Sequence, residues 1–172
     1  MLRNTGLIVV MTLFMAVSFY GQAEASKPRL LGTFGDWQAY SFTENGNKVC
    51  YMASKPKTDV GNYTSRGDIF ALITHRPAEK SKDVFSYISG YPYKAGSQVT
   101  IQVNGGTHKL FTQDETAWAA DAAADRSLVN GIKGGSKMIV KGTSKRGTLT
   151  TDTFSLNGSS KAYRTISQTC GL

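Results

Sequence analysis

The stretch FGDWQAYSFTENGNKVCYMAS, residues 34–54, decides the fold class. Its first arm sets Phe34, Trp37, Ala39 and Phe42 among polar neighbours, and its second, KVCYMAS, is another short strand-like run. Between them stands Asn45-Gly46. Both residue types accept positive φ, so the pair predicts a tight hairpin whose twist matches that of the flanking strands.

The same pattern repeats outward. DIFALITHR (68–76) is a buried-looking strand stopped by Pro77, and VFSYISGYP (84–92) is another. SQVTIQVNGGTHKLFTQ (97–113) alternates Val99, Ile101 and Val103 with Gln98, Thr100 and Gln102 across an Asn104-Gly105-Gly106 turn. KMIVKGTSKRGTLTTDTFSL (137–156) forms a further hairpin, with Met138 and Val140 in one arm, Arg146-Gly147 at the bend, and residues 153–156 completing the other. Strict alternation of this kind marks strands that are half buried in an antiparallel arrangement.

Two segments depart from it. TAWAADAAADRSLVNGIKGG (116–135) has six alanines between 117 and 124, then Leu128, Val129 and Ile132, and stops at Gly134-Gly135. It predicts a short helix, or two helical turns, with a glycine stop. In NGSSKAYRTISQTC (157–170), Ser159 or Asn157 is placed to cap, while Ala162, Tyr163, Ile166 and Cys170 share one helical face. The expected architecture is all-β, one antiparallel β-sandwich-like domain over residues 26–172 with two short helices, the last at the C-terminus.

Residues 1–25 read as a secretory signal peptide. Arg3 supplies the positive start, residues 7–20 the apolar run, and Ala23-Glu24-Ala25 the small-x-small cleavage pattern. The apolar run is shorter than the roughly 18–20 residues that span a bilayer. Export puts the two cysteines in an oxidising compartment, where an even count favours a bridge. If the bridge is intramolecular, only Cys50 to Cys170 is available. Such a link encloses most of the domain and is worth roughly 4–5 kcal/mol in the chain-entropy description.

The chain carries a net charge of +8, and loss of the signal peptide leaves it unchanged because Arg3 and Glu24 cancel. Such a surface is drawn to anionic partners or simply keeps an exported protein in solution. The densest cations are Lys133, Lys137, Lys141, Lys145 and Arg146, with Arg66 and Arg76 as further contributors. Lys137 and Lys141 lie on one strand face and Lys145 and Arg146 at the bend beyond. Lys137, Lys141, Lys145 and Arg146 are therefore the candidate residues for binding an anionic partner; a solvated sheet face is the alternative. No aromatics interleave with them before Phe154, and export points away from nucleic acid. The tyrosines of SYISGYPYKAG, Tyr87, Tyr91 and Tyr93, either anchor an interface or pack against the sandwich edge.

Catalytic patterns are sparse. His75 and His108 are far apart in sequence, with no metal-ligand spacing beside them. No G-x-S-x-G elbow appears, although His75 with Asp68 or Asp83 can meet after folding. GIKGGSK (131–137) and NGGTHK (104–109) lack the strand-to-helix context of phosphate loops. The expectation is a protein that is not an enzyme and has neither metal nor cofactor.

The ordered set FGDWQAYSF, KVCYMASKP, ALITHRP, SGYPYKAGSQVTIQVNG, KLFTQDETAW and the run from SLVNGIKGG to ISQTC resembles the invasion-associated locus B family of exported proteins. Many members place a further cysteine shortly after Gly-Asp-Trp. Here Ala39, Tyr40 and Ser41 fill that zone, so a bridging scheme using that cysteine does not transfer. The resemblance implies an immunoglobulin-like β-sandwich and a periplasmic, outer-membrane-associated or secreted location. It also implies a link to host-cell invasion in some lineages, and no catalytic residue. The function expected is surface binding to an envelope or host-cell component, anionic in character, with peripheral membrane association in scope and the oligomeric state left open. The rival is a periplasmic enzyme or chaperone-like factor acting on envelope polymers or unfolded proteins. The enzyme version would need His75 or His108 in a cleft.

Overall fold

The computed structural model describes residues 26–172, so the signal-peptide reading lies outside the described residues. Eleven strands form one antiparallel sheet: β1 (Arg29–Phe34), β2 (Trp37–Glu44), β3 (Asn47–Ser54), β4 (Thr58–Gly61), β5 (Phe70–Arg76), β6 (Ser81–Ile88), β7 (Gln98–Val103), β8 (Gly106–Gln113), β9 (Thr116–Trp118), β10 (Lys137–Thr143) and β11 (Leu149–Ser155). Helix α1 spans Ala122–Gly134, and α2 (Ser159–Thr169) closes the chain. The hydrogen-bonded order is β1-β2-β3-β5-β6-β9-β8-β7-β10-β11-β4.

The sheet doubles back on itself. Tyr87 on β6 meets Phe154 on β11 edge to face, with ring centroids 6.2 Å apart, although four strands separate them along the sheet. At another point of closure the Trp37 indole donates to the Ser155 carbonyl at 3.1 Å. The two halves are the layers of a sandwich, and the alternating residues read from the sequence line its interior. Trp37, Ala39, Met52, Ile73, Phe85, Val99, Ile101, Met138, Val140 and Phe154 are all fully buried. Burial of each large side chain contributes roughly 1.5–3 kcal/mol.

The turns behave as their residues dictate. Asn45 and Gly46 have φ of 51° and 77°, Asn104 and Gly105 φ of 46° and 78°, the positive pairs of two-residue hairpins. Two expectations are corrected. The alanine-rich segment is not helical from its start: Thr116–Trp118 is strand β9, and the helix begins only where the Asp121 carboxylate accepts from the amides of Ala123 and Ala124. Neither Ser159 nor Asn157 caps α2. Gly158 holds that position in the left-handed region, and the Ser159 hydroxyl instead donates to the Ile132 carbonyl at 3.0 Å, tying α2 to α1.

Helix α2 lies across β1, β2 and β3, with Ala162 and Ile166 buried beneath it. At its end Cys170 is bonded to Cys50 of β3, with Cα atoms 6.1 Å apart. The terminal cysteine holds the last helix against an early strand.

Candidate functional site

Where β4, β6, β10 and β11 end, the chain leaves a cleft of about 700 Å³. One wall is the 62–67 segment with Tyr63 and Arg66, another holds Tyr91 and Pro92, and the β10–β11 turn closes the third with Lys145, Arg146 and Thr148. That turn is fixed by Ser144, whose amide bonds the Thr148 carbonyl at 2.9 Å and whose carbonyl receives the Gly147 amide at 2.8 Å. Tyr93 pairs with Ser144 as an isolated bridge, and the Lys145 amide bonds the Pro92 carbonyl at 2.7 Å. The tyrosine loop and the cationic turn are thus joined through their backbones.

Beneath the cleft lies a buried charge pair. Arg66 donates both terminal nitrogens to Asp152, at 2.6 and 2.7 Å, and its Nε to the Ser89 carbonyl at 2.7 Å. The Tyr87 hydroxyl also donates to Asp152, and Tyr63 and Tyr91 flank the guanidinium with centroids at 5.5 and 4.8 Å. Burial pulls the Arg66 pKa down, but the bond and charge of Asp152 outweigh it, so the guanidinium is held above its ordinary value. Burial first, then the neighbouring Asp152 charge, push the Tyr87 phenol well up. Arg66 is therefore a structural cation. Its charge is spent on Asp152, and it does not join a free patch. Arg76 likewise pairs with Glu44.

The four candidate cations are all exposed, and the structure divides them. Lys145 and Arg146 line the cleft, and among the described residues neither takes part in an ion pair. Lys141 lies on the outer face of β10, in register with Thr151. Lys137 sits at the far end of that strand and borders a different hollow beside the Asn104-Gly105 turn. At about 3.3 Å per residue, Lys137 is some 13 Å from Lys141 along the strand.

Of the tyrosines, Tyr87 and Tyr93 are buried and pack inside the sandwich, while Tyr91 is half-buried and lines the cleft. The Tyr91 hydroxyl shares a 2.6 Å bond with Thr150. Nothing local in the sequence marks Tyr63 as the face opposite Tyr91.

His75 is placed otherwise than an acid–base role requires. His75 is fully buried: its Nδ1 accepts the Asp83 amide at 3.1 Å, which leaves the proton on Nε2, 3.1 Å from the Ser167 hydroxyl of α2. Burial lowers its pKa, the Asp83 carboxylate opposing. It faces no cleft. His108 is half-buried on β8. Among the described residues, no group of three or more His, Cys, Asp or Glu is arranged to hold a metal ion.

The sequence model of a family described as "Invasion associated locus B (IalB) protein" matches residues 37–167, from the first core tryptophan into α2. No curated protein and no solved structure matches the chain.

Proposed function

Since the chain belongs to the invasion-associated locus B family, we propose that it is an exported, non-catalytic protein that binds an anionic component of the envelope or of a host-cell surface, with the tyrosine-walled cleft as its site. One observation carries this reading. Lys145 and Arg146 stand exposed on a fixed turn, with no carboxylate partner among the described residues, over a cleft walled by Tyr63 and Tyr91. Unpaired cations beside aromatic faces and hydroxyls supply charge, stacking area and hydrogen bonds to one ligand. Binding is the action, and support for host-cell entry is the part of the reading that the family description contributes.

The test is retention of the mature protein, residues 26–172, on isolated outer-membrane fragments and on host cells at stepped salt. The double variant K145E/R146E is expected to lose binding and most of its salt dependence. K137E, altered at the separate hollow, is expected to keep both. Retention of K145E/R146E equal to wild type would remove the cleft from the mechanism.

A further inference from the structure

The outer face next to the cleft has an apolar feature that the anion-binding reading does not use. Val60 and Leu149 are 64% and 62% exposed, the two most exposed large apolar side chains among the described residues. They belong to different strands but to one surface. Val60 is in register with Thr151 and, one strand further, Lys141; Leu149 is in register with Thr143. Register partners share a face, and Thr150 and Asp152 between them point inward. Val60, Leu149 and Lys141 are therefore neighbours on the outside of the sandwich, Val60 about 10 Å from Lys141 across two strand spacings. Leu149 also follows directly on the turn that carries Lys145 and Arg146. Asp59, the acidic residue of β4, is in register with buried Asp152 and so lies on the opposite side of the strand.

We propose that this end of the sandwich docks on an anionic phospholipid bilayer, with Val60 and Leu149 entering the headgroup layer and Lys141, Lys145 and Arg146 pairing with lipid phosphates. Exposed apolar side chains beside cations suit that surface, because the membrane offers both an apolar layer and a negative potential within a few ångströms. A soluble anion offers only the second. The proposal shares Lys145 and Arg146 with the cleft reading, and the apolar pair separates the two.

The experiment is co-sedimentation of the mature protein with vesicles of mixed phosphatidylglycerol and phosphatidylcholine, and with phosphatidylcholine alone. Heparin binding is measured in parallel as the soluble polyanion. Wild type is expected to sediment with the anionic vesicles only. V60T/L149T, which keeps strand propensity at two exposed positions, is expected to lower vesicle affinity on the order of tenfold while leaving heparin binding and the melting temperature unchanged. K141E/K145E/R146E is expected to abolish vesicle binding. Equal sedimentation of wild type and V60T/L149T, or no preference for anionic vesicles, would overturn the proposal. The cleft reading would stand or fall separately, on K145E/R146E and the outer-membrane fragments.

Discussion

Arg66 and Asp152, 86 residues apart in sequence, meet as a two-pronged ion pair with side chains only 3% and 0% exposed. The pair joins the loop after β4 to the inner face of β11, and the Tyr87 hydroxyl adds β6 to the same carboxylate. It is the floor on which the cleft is built.

Removing one partner leaves the other charge buried and unpaired, which typically costs about 3–5 kcal/mol. Asp152→Leu and Arg66→Met are each expected to lower the free energy of unfolding by that order in urea titrations. The double variant R66M/D152L should lose much less than the sum of the two, since it buries no charge. Additive losses in the double-mutant cycle would mean that the two side chains act independently.

Much of the frame was legible because it is written in local terms. Asn45-Gly46 demands positive φ whatever surrounds it, and Trp37 and Ala39 face inward by simple alternation. The cysteine pairing followed from there being only two. What could not be read is what depends on closure. In the sequence Arg66 reads as one more surface cation, because nothing within ten residues of it names Asp152. One signal was available: Asp152 occupies an inward position between Thr150 and Phe154, and a carboxylate there requires a partner. Strand β4 escaped because its four residues are all exposed and show no alternation. In the alanine-rich segment composition favoured helix throughout, yet pairing with β6 and β8 drew Thr116–Trp118 into the sheet. Tertiary contacts outweighed local propensity there.

The Cys50–Cys170 bond should set the stability of the C-terminal helix. Without it, α2 keeps Ala162 and Ile166 against the sheet but loses the covalent end of a loop of 120 residues. C50A/C170A is expected to lose up to about 5 kcal/mol, with early hydrogen exchange confined to residues 159–172. The protein recovered from cells and alkylated before reduction should take up no label. Label on both sulfurs would show that the bridge does not form in the cell.

His75 predicts how stability responds to acid. In the unfolded chain its imidazole takes a proton near its ordinary value of 6.5, whereas burial, opposed by Asp83 and assisted by Lys82 and Lys133, lowers the folded value. Just below 6.5 the unfolded state therefore binds more protons, so stability is full above that pH and falls as pH drops through the window. Protonation would also set a second N–H against the Asp83 amide. Urea midpoints measured between about pH 8 and pH 5 should fall for wild type, and less steeply for His75→Gln. His108→Gln is expected to change the slope less, since His108 is only partly buried and its lowered pKa comes from burial alone. An unchanged slope in His75→Gln would assign the acid response to the carboxylates.

Gly158 and Gly147 allow backbone strain to be separated from steric contact. Both sit in the left-handed region, at φ of 88° and 87°, so an alanine at either pays the same conformational cost, about 1–2 kcal/mol. Their surroundings differ. A Cβ at Gly147 meets open space, whereas one at Gly158 would run into the backbone carbonyl of Phe34, which cannot swing aside as a side chain can. Gly158 also starts the helix that ends at Cys170, and beside it the Asp36 amide bonds the Asn157 carbonyl at 3.0 Å. Gly147→Ala should therefore cost only the conformational term, while Gly158→Ala should cost clearly more and loosen α2 and the β1–β2 corner together. Differential scanning calorimetry of the two variants reads the difference directly. Equal melting temperatures would mean that the corner yields to the methyl group and that α2 is not held by this contact.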